Sequence, residues 1–473
     1  MAARLVAACA LLVSACTASS GAFTCFSDEE CLHAGTQGHC EQTGFCSFPD
    51  LLCATGDRYG DYAGDGLAGR CVPESGSFLD AGPPPPDAPP PPPCGSIGDE
   101  CCASGAACEG ALSCTGAVCT CTSTGAPAAG AYAHHTCEAG SDGTVWCWGS
   151  NAQGQIGNGV TGGVQSKPMA VAELTGVTAV ATGTAHTCVI AAGAVWCWGD
   201  DSAGQLGVGG GNDRARPEKT TLEGATALDA GGATTCAVAA GQVYCWGHND
   251  HGQVGDGSAA DRNKPKRVDG LDHVVAVTSG VNTSCALKDD ATAWCWGAGD
   301  EGEIGDGNGA NAATPTQVAL ADIAGIANGD DQACARTTTG LVYCWGDNEF
   351  GTIGDGTTTQ RRAPTQVAGL ADVIAVDVAD EFACAVRRDG TVWCWGENDV
   401  GQLGTGAVST FEAMPRQVLG VTDAVAIAAG ADHACALRAV GTLVCWGSNA
   451  DAQLGDESTS ATLGLETVRL DCR

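Results

Sequence analysis

The sequence predicts an all-β chain: a seven-bladed β-propeller of four-stranded blades, preceded by small disulfide-rich modules. Three observations predict it. First, a phrase of the type Val-Trp-Cys-Trp-Gly recurs seven times, with its cysteine at Cys147, Cys197, Cys245, Cys295, Cys344, Cys394 and Cys445, a step of 48–51 residues. Second, each unit breaks into short runs rich in β-branched and aromatic residues, as around Val177, Cys188 and Val195, and no run keeps helical periodicity for three turns. Third, 70 glycines against 5 % aromatics imply many tight turns, with the few aromatics reused at special positions. Four short strands in each unit of about fifty residues is the pattern of a propeller blade, and the units fill residues 124–473.

Composition narrows the setting. Thirty cysteines in 473 residues suit an oxidising compartment, where they form a disulfide framework. A formal charge of −34 excludes the basic stripe that a phosphate backbone or an anionic membrane surface requires, so no nucleic-acid partner is expected.

The N-terminal elements follow in order. Residues 1–15 carry Arg4, an apolar stretch from Leu5 to Val13 and a small-residue end before Cys16, which looks like a bacterial lipoprotein signal with Cys16 as the lipidated residue. A similar stretch ends at Cys9, but cleavage there leaves too short an apolar segment. The protein is thus expected at the outer membrane or cell surface of a bacterium, held by its lipid alone. Residues 16–80 form a cysteine-rich module with Cys25, Cys31, Cys40, Cys46, Cys53 and Cys71, for which fifteen connectivities are open. Asp57, Asp61 and Asp65 in this module lack the alternating spacing of a calcium loop and read as a solvated turn. Residues 81–93 are a proline-rich linker with the stiffness of a polyproline spacer. Residues 94–123 hold seven cysteines: Cys94, Cys101, Cys102, Cys108, Cys114, Cys119 and Cys121. An odd count leaves one over, and Cys121, rather than Cys119, is assigned to Cys472 as a bridge that closes the ring.

Inside the repeats each phrase has a second cysteine nine or ten residues upstream: Cys137, Cys188, Cys236, Cys285, Cys334, Cys384 and Cys435. A turn such as Ala192-Gly193 between them makes a hairpin, with Gly143, Gly340, Gly390 and Gly441 absorbing the extra residue where the separation is ten. Cross-strand neighbours lie about 4.5–5.5 Å apart, so one disulfide is expected in each blade, from Cys137–Cys147 to Cys435–Cys445. Zinc is the competing chemistry, but these isolated pairs lack the close spacing and further ligands of a zinc site. All eleven tryptophans fall in the repeated phrase and read as packing between blades, on the opposite strand face from the cysteines. His135, His186 and His433 share a repeat position with Thr234, Thr283 and Gln332, which suggests a hydrogen-bonding role in each blade rather than a ligand set. Asp256-Gly257, Asp306-Gly307 and Asp355-Gly356 read as turns. No nucleophile elbow, phosphate loop or zinc-protease helix occurs, so neither an enzyme nor a cofactor is expected.

The segments Gly183–Cys188, Asp142–Gly157, Asp389–Gly404 and Gly430–Leu437 give this array a closer resemblance. It is similar to the regulator of chromosome condensation repeat family, whose units carry a pattern near GxxHTxALxxxGxVWxWGxNxxGQLG. The resemblance implies seven blades closed by pairing the two chain ends in one blade. This chain departs from it at the start, because no apolar strand like Val177–Ala181 precedes Gly130, and the C-terminal stretch 465–470 must find its own partner. It also implies guanine nucleotide exchange, the family's founding activity, which an exported disulfide-rich chain argues against. Propellers similar to this family also inhibit secreted enzymes. The main expectation is a monomeric scaffold that binds a protein or surface polymer. Specificity is placed on the loops that differ most between units: 158–167, 208–219, 257–264, 308–314, 356–363, 406–414 and 456–465.

Overall fold

The structure, a computed structural model, describes residues 127–468 apart from 131, 141 and 461, together with the backbone of short strands between residues 18 and 121. It divides into two units, Met1–Thr120 and Cys121–Arg473. The first contains short antiparallel ladders such as Cys46–Pro49 against Asp57–Tyr59. Lipidation at Cys16, the cysteine pairings of residues 25–121 and the bridge between Cys121 and Cys472 lie outside the residues whose side chains are described.

The second unit is a ring of seven antiparallel sheets, six of them with four strands in chain order. Blade 2 shows the plan: Val177–Thr182 innermost, then His186–Ala191, Ala194–Gly199 and the outer strand Arg214–Glu223. Among the described residues blade 1 has three strands, His135–Ala139, Val145–Ser150 and Val164–Ala170, with a single bridge between Ala128 and Cys137 at its inner edge. The residues before it offer alanines and a proline instead of a β-branched run, and Pro127 has no N–H to donate. The last strand, Thr462–Val468, pairs with Leu443–Gly447 inside blade 7. Among the described residues the first and last strands of the ring therefore stand in neighbouring blades, where the family resemblance implies one shared blade. Blades 7 and 1 instead meet side by side: Ala431 N–H donates to the Ala133 carbonyl at 3.2 Å, and Trp148 Nε1–H donates to the Gln453 carbonyl at 2.8 Å.

Within each blade the two cysteines stand directly opposite one another in the register, as Cys188 does to Cys197, and the seven pairs are disulfide-bonded with Cα atoms 4.1 Å apart. Where the separation is nine, Ala192 and Gly193 adopt φ 50° and 77°, the left-handed pair of a two-residue hairpin turn. Where it is ten, the added residue sits in the connection as a left-handed position, φ 78° at Gly143 and φ 63° at Ala291.

The faces of the sheets are the interfaces between blades. Cys188 and Cys197 are fully buried and pack with Ile190, Val195 and Leu206 against Trp246 of the next blade. One indole per blade is also anchored: Trp198, Trp246, Trp296, Trp345, Trp395, Trp446 and Trp148 donate Nε1–H at 2.7–2.9 Å to a loop carbonyl of the preceding blade. The loop can approach so closely because a glycine underlies it. A Cβ added to Gly207, at φ 69°, would lie 2.6 Å from Trp246 Nε1.

Two outcomes test this packing. Replacing Cys188 and Cys197 together by Ala should cost about 2.5–3 kcal/mol from loop-closure entropy, seen as a lower denaturant midpoint with an intact fold. Gly207→Ala should cost at least about 1–3 kcal/mol through both its left-handed φ and the clash with Trp246. A denaturation midpoint equal to wild type would contradict the seat.

Candidate functional site

The innermost strands line an axial channel. Counting seven residues back from the first cysteine of each hairpin gives Ala181, Asp229, Thr278, Ala327, Asp377 and Ala428, each facing that cysteine in the register; Ala128 bridges to Cys137 in blade 1. Carboxylates occur at this position only in blades 3 and 6. Both line a cavity of about 210 Å³ in the channel. Asp229 accepts the Ser279 N–H and Asp377 accepts the Ala429 N–H, each at 2.8 Å, so each carboxylate reaches across to the following blade. Burial pushes Asp229 up to about 6 and Asp377 up to about 7, with the charge of Asp229 adding to the latter.

Two residues beyond the channel-lining Asn328 and Val378, the chain turns at Asp330-Asp331 and Asp380-Glu381. These turns, with Asp432 of blade 7, make one end of the channel acidic. Tyr132, in the left-handed region at φ 64°, places its hydroxyl beside Asp330 and Asp380, and its burial first, then their charges, hold it protonated. Burial first, then the neighbouring carboxylates, push Asp380 up to about 7 and Glu381 up to about 8. Glu303 stands where most units have a glutamine, is 1 % exposed, and burial raises it to about 7. The ends of the third strands add to this acidic face: Asp347 N–H donates to the Asp331 carbonyl and Glu397 N–H to that of Glu381, both at 2.8 Å.

Around the rim the variable loops hang one on the next. Gly159 N–H donates to Ala215, Gly209 to Asn263, Gly257 to Ala313, Gly307 to Arg362, Gly356 to Ala413 and Glu457 to Ser166, all to main-chain carbonyls at 2.8–2.9 Å. Their side chains face outward, and blade 6 exposes Val408, Phe411, Met414 and Leu419.

The three repeat histidines do hydrogen-bond, each to a threonine of the following blade. His186 Nε2 donates to Thr235 Oγ1 at 2.8 Å, and that hydroxyl donates to the same Gln205 carbonyl that Trp246 uses. His135 with Thr187 and His433 with Thr136 repeat the arrangement. Burial lowers all three imidazoles to about 3, so they are neutral. The position holds Gln332 in blade 5, whose amide donates to the Ala379 carbonyl of blade 6 at 3.3 Å, and Phe382 in blade 6. Asp256, Asp306 and Asp355 each accept the N–H two residues on, at 2.8–3.0 Å, which makes them turn residues; Asp256 and Asp355 are further paired with Arg262 and Arg361. Among the described residues no group of three or more His, Cys, Asp or Glu is placed to hold a metal ion, and no helix is long and apolar enough to cross a membrane. Sequence reasoning missed Asp229, Asp377 and the clustering of Asp330, Asp331, Asp380 and Glu381. The first two carry a legible signal, a carboxylate inside an apolar inner strand seven positions before a staple cysteine; the cluster arises only when the ring closes.

The raised carboxylates set the pH response. Above about pH 6.5 the unfolded chain's carboxylates are ionised and its histidines are losing their protons, whereas folded Asp377, Asp380, Glu303 and Glu381 still hold theirs. The folded state then binds more protons than the unfolded one, so stability falls as pH rises from about 6.5 to about 8.5. Below that window the buried histidines act oppositely, because unfolding lets them take up protons. The denaturant midpoint should be lower at the alkaline end, and Asp377→Asn should shrink the drop; a midpoint that climbs through this window would contradict the assignment.

The model of the RCC1-like domain matches residues 218–469, and that of the regulator of chromosome condensation (RCC1) repeat matches residues 142–190. No curated protein matches the chain. Among solved structures, human WBSCR16 is similar at a TM-score of 0.63 and 21 % identity, over 69 % of this chain and 94 % of that one. Yeast RCC1 (Prp20), solved with Kap60 bound to it, is similar at 0.61 and 20 %, over 68 % and 82 % of the two chains. Prp20p from Saccharomyces cerevisiae, described with its binding properties to Gsp1p and histones, is similar at 0.60 and 19 %, over 68 % and 85 %. The solved structures establish a shared fold, and the domain match alone spans more than half of the sequence: the chain belongs to the RCC1-like domain family.

Proposed function

We propose that this protein is an exported, lipid-anchored propeller that serves as a binding scaffold at a bacterial outer membrane or cell surface, recognising a protein or surface polymer that carries basic groups. The observation that carries the reading is a contrast within each unit. The staple and the indole-to-carbonyl bond recur in all seven blades, while the loops chained around the rim differ from blade to blade and face outward. A rigid frame with divergent loops is suited to recognition, since ordering those loops on binding costs little when the frame already holds them. At the acidic channel end, burial and neighbouring carboxylates raise Asp331, Asp380, Glu381 and Asp432, which favours a basic partner whose cations relieve that repulsion and draw these groups into their charged form. The yeast relative described with its binding to Gsp1p and histones supports protein binding as a use of this fold. Identities of 19–21 % carry the fold and not nucleotide exchange. The lipid anchor at Cys16 and the proline-rich spacer support presentation away from a membrane.

The test is capture of partners from bacterial surface extracts on the folded protein. A bound species should elute as salt rises from about 0.05 to about 0.5 M. Replacing Asp331 with Asn and Glu381 with Gln together should weaken it several-fold. Salt-insensitive capture, or capture indifferent to these two changes, would move the site to the rim loops. If the partner is an enzyme, its activity with the propeller bound separates inhibition from simple docking. Fatty-acid labelling should mark the wild type and miss Cys16→Ala.

A further inference from the structure

We propose that the axial channel is a binding site for one hard divalent cation, calcium or magnesium, held between Asp229 and Asp377 with neutral oxygens from Ser279 and Asn328. These four residues belong to the inner strands of four consecutive blades, 3 to 6, and all line the same cavity of about 210 Å³. Blades 7, 1 and 2 present Ala428, Ala128 and Ala181 at the carboxylate position, so the oxygen donors form an arc on one side of the channel.

Two of the donors are left without work by the protein itself. Ser279 is 3 % exposed and gives its N–H to Asp229, yet its Oγ has no hydrogen-bond partner. Asn328 is 5 % exposed and its Oδ1 has none either. The orientation of that amide is set by its other end, which donates from Nδ2 to Cys285 Sγ at 3.2 Å, leaving the carbonyl oxygen as the unpaired atom. Buried polar atoms are ordinarily satisfied, and a pair of idle oxygens on neighbouring blades beside a cavity calls for a ligand that accepts lone pairs. A cation does so; another acceptor would not.

Charge and donor type select the ion. Two carboxylates match a divalent charge, and among the described residues neither is paired with a lysine or arginine. Every donor is an oxygen, and the channel's cysteines are tied up in disulfides, which favours calcium or magnesium over zinc or copper. The cavity leaves room for waters to complete the shell, since two carboxylates and two neutral oxygens do not fill six or more positions.

The experiment is calorimetric titration of the full-length, chelator-treated protein with calcium chloride and, separately, magnesium chloride, at about pH 8 where both carboxylates are ionised. One saturable site per chain is expected, with a rise in melting temperature that grows with ion concentration. Asp229→Asn combined with Asp377→Asn should abolish that site. Ser279→Ala should weaken it several-fold without lowering the melting temperature of the cation-free protein, because the hydroxyl has no partner there. The proposal is overturned if neither salt gives a one-to-one saturable phase, or if that phase survives the double Asn variant. It is equally overturned if the phase is lost only on neutralising Asp331 and Glu381 at the channel end. Should the double variant fail to fold, Ser279→Ala decides: unchanged affinity overturns the site.

Discussion

The indole N–H that each blade gives to a carbonyl of the blade before it is the bond on which the rest of the ring depends. It fixes the distance between sheets, and through that distance the width of the channel. The geometry leaves no slack: Trp246 sits on Gly207 with its Nε1 bonded at 2.8 Å to Gln205, and its ring closes over the disulfide of Cys188 and Cys197. A side chain at Gly207 would push the sheets apart, and a smaller ring in place of Trp246 would uncover the staple. The buried threonine and histidine bonds, where present, add a second polar line to the same carbonyl. Sharing one acceptor among neighbours makes the interface cooperative, since losing any donor leaves a buried carbonyl less satisfied.

What could be read from the sequence was whatever depends on one blade alone. The separation of Cys188 from Cys197 defines a hairpin register, and the recurrence of that separation defines the number of blades. Turn chemistry at Asp256 and Asp355 was equally local. What could not be read depends on the neighbouring blade. Whether His186 bonds inside its sheet or across to Thr235 is settled by the stacking of two sheets, on which the linear order is silent. The acidic end is further removed still, because Asp331, Glu381 and Asp432 converge only through the curvature of the whole ring. Asp229 and Asp377 are an intermediate case: each is an acid in an apolar strand, a local conflict that marks a site once the repeats are set in register.

The molecule is therefore uneven in a way its repeats conceal. All seven units share a frame, but blades 3 to 6 carry the polar channel wall and blades 5 to 7 most of the crowded carboxylates. Repetition supplies rigidity, and departures from repetition supply chemistry. Raised carboxylates such as Glu381 would not persist in a frame able to relax around them, so the staples and the strained charges belong to one design.

The seam between blades 7 and 1 has one more implication. It is built from the same Trp148-to-Gln453 bond and the same His433-to-Thr136 bond as the interior interfaces, and among the described residues no strand is exchanged across it. In its described residues the seam is one more blade-to-blade interface. Growth by copying whole blades, each bringing its own staple and its own indole bond, would meet no barrier until the curvature itself refused to close.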